Sequence, residues 1–562
     1  MNSISIRFVS LILILSMPRA HAFFGKTFIS PRSLSVNAAR ELVGWQEQIN
    51  RFDRDTNYWS LAITPEYTRN YGCRGIVNYL FGGSSSFVFS GSQAPGGRGK
   101  CDILADYFGL PLDFKSAVCV RPIMSTFIMD FDFYYGLENF CRGLYFRIHA
   151  PIGQTNWNPH FLEKISFPGT IGYPAGYMSA AAIPECELPS SVQKVFQGTT
   201  TFGDMQEPLA YGKIYGREDL VHISDVQLVI GWNPILRERS HFGFNGRVSL
   251  PVGSRYCPEF LFNPIIGNGH HWEAGIGLTG HKLFYEHDDY GDCAFYLDAN
   301  VTHLFANKQL RSYDLVGSAG SRYMLIEEII SPSTNLFVGG AAAPNQYNGH
   351  LFPAINKTTL CTKIRVNVQA DCALKFCYLR NGWDLDLGYD FWYRSAEKIV
   401  CREAFPDDRY ALKGDAQIYG FTAVPSAIAL NATESGATLR AGQGAGNFVT
   451  GQVLQNLNVD SPAQAQGPTA GNNLVNSTGA LVQSSKPAVL LTDASINECS
   501  GIASSAISHK IFMHAGYTWY RPKIEAFMGL GGEVEWAPCK NKTGNSALSQ
   551  WGVWVKGGLS YW

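Results

Sequence analysis

The sequence predicts an all-β protein: a transmembrane antiparallel up-and-down β-barrel of about 14 strands, within about 12 to 16. Three features support this fold class. The chain opens with an export signal, its later segments alternate apolar and polar residues, and its last strand ends on an aromatic residue. No later segment offers the ~18 consecutive apolar residues of a membrane-spanning helix, so no such helix is predicted. The prediction also includes a short N-terminal helix and long external loops.

Residues 1–22 have the pattern of a secretory signal peptide. Arg7 precedes an apolar run from Phe8 to Met17, and Ala20-His21-Ala22 has the small residues of a cleavage site. The sequence therefore predicts export. Loss of Arg7 and Arg19 with the signal changes the formal net charge from −1 to −3, which is too close to neutral to favour nucleic acid as a partner.

Residues 23–56 form a separate N-terminal segment. Ala38, Leu42, Trp45 and Ile49 recur at helical spacing, which predicts a short amphipathic helix. Two interpretations stay open, a cap on the periplasmic side or a plug inside the barrel.

The barrel is predicted to span residues 57–562, and its clearest strand is 383–394. Trp383, Leu385 and Leu387 alternate there with Asp384 and Asp386. Successive side chains of a strand point to opposite faces, so this strand has one apolar and one polar face. An apolar outer face against lipid and a polar inner face against water are typical of a transmembrane barrel.

The polar faces of the predicted strands give the candidate pore-lining residues. These are Asp130, Asp132, Arg147, Arg247, Arg365, Asp384, Asp386, Asp390, Lys510, Glu525, Glu533 and Lys556. Rings of such charge set selectivity in aqueous pores. Both signs are present, so the sequence does not predict cation or anion preference.

The connections differ in length. Residues 520–523 form a tight turn, whereas 154–220 and 425–507 are long and polar or mixed in composition. Barrels of this kind have short periplasmic turns and long external loops. With the C-terminus on the periplasmic side, the 425–507 loop falls outside and the 520–523 turn inside, as expected.

The last strand, residues 551–562, places Trp551, Val553, Val555 and Tyr561 on one face. It resembles the C-terminal signal of bacterial outer-membrane barrels, so the chain resembles the porin-like class over residues 57–562. The resemblance implies an outer-membrane location. Trp562 departs from the pattern because it is out of phase with the lipid face.

Thirteen cysteines follow the signal, an odd number that allows up to six disulfides. This richness is similar to that of the cysteine-rich major porins of chlamydia-like bacteria. The similarity implies disulfide cross-linking in the cell envelope.

The candidate catalytic and metal-binding residues also fit a simpler interpretation, a polar lumen wall. Asp130 with Asp132 could act as acid and base or bind a cation, and His270, His271 and His281 could bind a metal or serve a hydrolase. Alternation alone accounts for polar residues facing a lumen, and no hydrolase, zinc-protease or phosphate-loop motif accompanies the histidines. The prediction is no enzyme, no catalytic residue, no metal and no cofactor.

The predicted function is an outer-membrane porin that admits small hydrophilic solutes by passive diffusion. Its predicted partners are outer-membrane lipid, these solutes, a second copy of the chain and envelope proteins reached through disulfides. The alternative is a surface adhesin whose barrel anchors loops 154–220 and 425–507. A soluble, secreted multi-sandwich protein is the third reading, and aromatic girdles at both strand ends would argue against it.

Overall fold

The computed structural model describes residues 25–45, 47–287, 289–330, 337–338, 341–342, 346–421, 427–429, 433–442, 488–538 and 544–562. The predicted signal peptide and residues 443–487 of the predicted 425–507 loop lie outside the described residues. Among the helices of the described part, none is long and apolar enough to cross a membrane.

Twelve antiparallel strands close into one ring. They are β1 (Tyr58–Asn70), β2 (Ile123–Gly136), β3 (Leu144–His149), β4 (Val226–Arg237), β5 (Ser240–Leu250), β6 (Glu273–Tyr285), β7 (Asp292–Ser312), β8 (Thr359–Arg380), β9 (Trp383–Arg394), β10 (Ala506–Tyr520), β11 (Ile524–Trp536) and β12 (Gln550–Tyr561). Each strand pairs with its neighbours in sequence, and β12 pairs with β1 to close the ring. The prediction of a closed antiparallel barrel is confirmed, at the lower end of the predicted strand range.

The connections between the strands alternate in length around the ring. Residues 137–143, 238–239, 286–291, 381–382 and 521–523 are short turns, whereas 71–122, 150–225, 251–272, 313–358, 395–505 and 537–549 are long. All short turns therefore lie at one end, here called the turn end. The long connections meet at the opposite, cap end.

The alternation predicted for β9 is present in the structure. Trp383 is 56% exposed and Leu387 55%, whereas Asp384, Asp386 and Asp390 are buried on the other face. The apolar residues thus face outward, and the carboxylates face the interior of the ring.

The lumen prediction is wrong for Arg365. This residue is exposed, while its neighbours Ile364 and Val366 are buried. The register between β7 and β8 shifts between Thr302 and Leu304, where β8 carries one extra residue. A bulge of this kind reverses which residues face inward, so the alternation read along 363–369 does not continue through it.

Three further strands extend the sheet beyond the ring. Ile152–Asn158 pairs with the cap-end half of β2 and with Glu218–Ile223, and Glu397–Arg402 pairs with β8. The predicted 154–220 loop therefore contributes strands to the wall at both of its ends.

The long connections fold into a cap with its own hydrophobic core. The largest cluster of buried apolar residues, including Phe89, Phe108, Phe196 and Tyr323, lies there. Its sheets are formed by Ser86–Ser90, Ile103–Leu104, Lys115–Val120 and Phe161–Phe167; by Leu325–Ile330, Gln346–Pro353 and Tyr410–Leu412; and by the pairs Asp314–Leu315 with Ile496–Asn497, Phe337–Val338 with Ala341–Ala342, and Tyr419–Phe421 with Ala427–Ala429.

The helices are short. They are α1 (Ala38–Leu42), α2 (Arg74–Phe81), α3 (Val192–Gln197) and α4 (Ala354–Thr358), with single 3₁₀ turns at Ala105–Phe108, Glu185–Glu187, Ser321–Tyr323, Asp493–Ser495 and Glu498–Gly501. The predicted N-terminal helix corresponds to α1. The described residues contain no disulfide bond, so the disulfide prediction is not confirmed.

Aromatic side chains cluster on the outer face at two levels. At the turn end the ring centroids of Trp59 and Tyr561 are 6.1 Å apart, and at the cap end those of Tyr67 and Trp551 are 5.7 Å apart. Trp551 and Tyr561 are ten residues apart on β12, or ~33 Å along a strand and ~25 Å across a tilted one. This spacing matches the apolar band of a transmembrane barrel.

We expect the outer face between these levels to lie in lipid, which a charged substitution tests. Leu530, in the middle of β11, is 63% exposed, and Val316 in the cap is 62% exposed. Leu530→Arg should make the free energy of folding into lipid vesicles less favourable by about 2–4 kcal/mol, because a cation at mid-bilayer is costly. The matched Val316→Arg should change it by less than about 0.5 kcal/mol. Equal effects on folding would contradict a lipid-facing band.

Candidate functional site

The N-terminal segment, residues 25–57, runs through the ring from the cap end to the turn end and is called the plug here. At the cap end the backbone N–H of Gly25 donates to the Leu80 carbonyl. At the turn end the backbone N–H of Arg51 donates to the Tyr58 hydroxyl at the start of β1. Between these points the plug contacts strands on all sides of the ring. The structure thus places it inside the barrel.

The helix α1 forms the centre of the plug. Asn37 caps it by accepting from the Arg40 backbone N–H, and the small residues Ala38 and Ala39 are 1% and 0% exposed. The Ala38 N–H donates to Asp371 on β8 at 2.8 Å. Small side chains let the helix backbone approach the wall closely, so the wall carboxylate can serve as a partner for the first helical turn.

Toward the cap end, Arg32 lies among three carboxylates from three strands. Its Nη2 is 2.6 Å from Asp371, and its Nη1 is 2.8 Å from Asp390 and 3.7 Å from Glu535. The Arg32 side chain is only 8% exposed. A buried guanidinium with this many donors can neutralise several carboxylates together, which a single ammonium does less well.

At the middle of the plug, Arg40 joins β1 and β2. Its Nη1 is 2.6 Å from Glu66, and its Nε is 2.6 Å from Asp130. The Arg40 carbonyl accepts a hydrogen bond from Lys556 of β12 at 2.9 Å. The next plug residue, Glu41, pairs with Arg147 of β3 at 3.0 Å.

Toward the turn end, the plug is held by backbone and side-chain contacts. The Gly44 N–H donates to Asp386 at 3.1 Å, and the Lys375 ammonium donates to the Leu42 carbonyl at 3.0 Å. Arg51 pairs with Glu525 at 2.8 Å.

The out-of-phase C-terminal residue also contacts the plug. The guanidiniums of Arg51 and Arg54 lie 4.5 and 4.0 Å from the ring centroid of Trp562. The departure of Trp562 from the lipid-facing phase is therefore explained by cation–π contacts with these two arginines.

All predicted pore-lining residues except Arg365 are buried on the inner face, where several pair with each other or with the plug. Arg147 pairs with Asp132 at 2.6 Å and Lys510 with Glu533 at 2.8 Å. Sequence reasoning missed Asp371 and Lys375, although they alternate at odd positions along β8 and are therefore on one face. It also missed the plug arginines, which have no periodic signal.

Acidic residues outnumber basic residues on the inner wall. The buried acidic residues of the twelve strands are Glu66, Asp130, Asp132, Glu273, Asp298, Asp371, Asp384, Asp386, Asp390, Glu525, Glu533 and Glu535; the buried basic ones are Arg147, Arg247, Arg311, Lys375, Arg394, Lys510 and Lys556. The plug arginines reduce this difference. Without them, several wall carboxylates would be buried with no cation beside them, which is costly.

The middle of the lumen is filled by side chains. Ala39, Arg40, Val43 and Trp45 of the plug are each at most 1% exposed. One cavity of about 60 Å³ lies beside Arg32 and Arg40, and another of about 220 Å³ lies at the turn end beside Glu47 and Tyr520. The plug thus closes the lumen between its two ends in this conformation.

One group of side chains that could bind a metal ion, on β2 and β3, is engaged in ion pairs. Ligand atoms of Asp130, Asp132 and His149 lie within 4.8 Å of one another. Asp130 pairs with Arg40 and lies 2.7 Å from the Nε2 of His149, and Asp132 pairs with Arg147.

The histidines considered at the sequence level do not assemble into one site. His271 contacts the Phe305 carbonyl at the cap end, and His270 contacts the Gly253 carbonyl there. His281 contacts His241 instead, on the neighbouring strand near the turn end.

A scan against protein-family models finds no match, and a search of curated proteins finds none. Among solved structures, an outer membrane channel from Pseudomonas putida F1 matches with a TM-score of 0.33 and 9% identity, over 90% of this chain and 96% of that chain. A Pseudomonas aeruginosa FadL homologue matches with a TM-score of 0.25 and 7% identity, over 95% of this chain and 99% of that chain. The Pseudomonas putida toluene transporter TodX matches with a TM-score of 0.22 and 8% identity, over 96% of each chain. At these values the neighbours assign neither a family nor a substrate to this chain.

Removing one plug arginine should loosen the plug. Arg40→Met leaves Glu66 and Asp130 buried without their guanidinium, so we expect the free energy of unfolding to fall by about 3–5 kcal/mol. The control is Arg217→Met, because Arg217 is 61% exposed in its pair with Asp219 and its loss should cost less than about 1 kcal/mol. Denaturant unfolding of the detergent-folded barrel measures both. A stability loss for Arg40→Met no larger than that of the control would contradict the ion-pair network.

Proposed function

We propose that this protein is an outer-membrane channel for small hydrophilic solutes, closed in this conformation by its plug. The observation that carries the proposal is a closed ring with a polar, charged interior that is occupied by a segment of the same chain. The plug is joined to the wall by ion pairs and hydrogen bonds and by small apolar clusters around Val43 and Trp45. The ion pairs and hydrogen bonds among them can be exchanged for contacts with water and solute.

The outer-membrane location is part of the same proposal. Its support is the apolar outer face between two levels of aromatic side chains, together with the predicted signal peptide. A closed ring satisfies every backbone group internally, which is the requirement for a sheet in lipid. The aromatic levels also favour a membrane barrel over the soluble multi-sandwich alternative.

The structure changes the mechanism expected from the sequence. The sequence predicted passive diffusion and left open whether residues 23–56 cap or plug the barrel. In the structure, α1 and the residues around it fill the centre of the lumen. We therefore propose gated passage, in which the plug shifts while the strands stay in place. The charged inner walls favour hydrophilic solutes over apolar ones.

Planar-bilayer recording tests this proposal. The full mature chain should open rarely, whereas deletion of residues 25–56 should give large, stable conductance steps, because the lumen loses its filling. A triple variant, Arg32→Gln/Arg40→Gln/Arg51→Gln, keeps the segment but removes its main ion pairs and should open more often than the wild type.

The control for the triple variant is Arg217→Gln/Arg402→Gln/Arg409→Gln, which removes three arginines of cap ion pairs. This control should conduct as the wild type does. Folded, membrane-inserted deletion and triple variants that never conduct would contradict the channel and favour the anchored adhesin.

A further inference from the structure

We infer that the solute admitted by this channel is a small cation that carries a guanidinium or ammonium group, an inference that rests on the proposed channel function. The plug places three guanidiniums at three positions along the lumen, each facing wall carboxylates. Arg32 is toward the cap end, Arg40 is in the middle and Arg51 is toward the turn end. The plug therefore occupies the positions that a cationic solute would take when the plug moves.

The Arg32 position has the strongest geometry for binding a cation. Carboxylates of Asp371, Asp390 and Glu535 converge on it from three strands at 2.6, 2.8 and 3.7 Å. The strands fix these carboxylates in place, and a cavity of about 60 Å³ adjoins the guanidinium. A rigid set of acceptors around a planar cation is a built site for guanidinium recognition.

The charges left on the wall after plug movement also favour a cation. Lys375, Lys510 and Arg147 have carboxylate partners on the wall, so they do not neutralise the carboxylates that the plug releases. Among the buried Lys and Arg residues of the twelve described strands, Lys556 and Arg394 have no carboxylate within 4.0 Å. The carboxylates released by Arg32, Arg40 and Arg51 outnumber these two cations.

Carboxylates without a Lys or Arg partner also lie near both ends of the lumen. At the cap end, Glu273 is 2% exposed, and its carboxylate accepts from Thr302 and Gln369 rather than from a Lys or Arg. At the turn end, Asp384 is 7% exposed, and its nearest basic group is His514 at 3.8 Å. A cation thus meets carboxylates near each mouth as well as in the middle, and charge of one sign along a pore sets its selectivity.

Chemical replacement of the Arg32 side chain tests the site directly. Arg32→Ala opens space beside Asp371, Asp390 and Glu535. In the detergent-folded full chain, methylguanidinium should bind this variant at least about 10-fold more tightly than it binds the wild type, measured by isothermal titration calorimetry. Methylurea, the neutral analogue of similar shape, should not bind. The Arg217→Ala variant, which empties an exposed ion pair in the cap, should behave as the wild type does.

Reversal potentials give a second readout that does not depend on the folding of Arg32→Ala. In a tenfold KCl gradient, the chain lacking residues 25–56 should be cation-selective. Adding Asp371→Asn, Asp390→Asn and Glu535→Gln should reduce that preference at least about twofold.

Two outcomes would overturn the inference: equal binding or no binding of methylguanidinium and methylurea, or an open channel without cation preference. The second outcome would leave the proposed channel intact. If methylguanidinium binds selectively but the barrel never conducts, the proposed channel function is contradicted, whereas the proposed cation-binding site is supported.

Discussion

The constraint on which this structure depends is the neutralisation of buried carboxylates inside a closed ring. A barrel whose inner face carries many acidic residues can leave them in water or supply cations beside them. Here the chain supplies its own cations from its N-terminal segment. Arg32, Arg40 and Arg51 fix the course of the plug, because each must reach carboxylates on particular strands.

The rest of the architecture follows from the alternation that created those carboxylates. The same strands that place Asp384 and Asp386 inward place Trp383 and Leu385 outward, so one sequence pattern defines both the lumen and the apolar outer face. The largest hydrophobic cluster lies in the cap, and smaller clusters around Val43 and Trp45 pack the plug against the inner wall. The barrel is therefore held together by backbone pairing, ion pairs and these smaller apolar clusters, and the cap mainly by apolar packing.

The sequence was sufficient for the parts of the fold that local patterns determine. Alternation along a strand identified the inner face of β9 and of β11, because the period of two survives wherever pairing is regular. It failed at Arg365, because a bulge is set by the partner strand β7 and leaves no local trace. It also placed part of the wall, Ile152–Asn158, at the edge of a predicted loop.

Of the candidate site, the sequence predicted the wall residues but not the plug residues that contact them. The wall carboxylates could be read from the pattern, but their partners could not. The contact between Arg32 and Asp390 joins residues 358 positions apart, and α1 has only five residues, too few for periodicity to show what it packs against. The choice between a periplasmic cap and an internal plug therefore needed the three-dimensional structure.

Hydrogen–deuterium exchange of the plug in the detergent-folded, full-length mature chain tests the central claim most directly. The backbone N–H groups of Ala38, Glu41, Val43 and Gly44 all have acceptors inside the ring. Peptides covering residues 34–45 should exchange as slowly as peptides from the barrel strands, because those amides are buried and hydrogen-bonded. Exchange at the rate of an unstructured chain would show that this segment does not occupy the lumen, and would contradict the account.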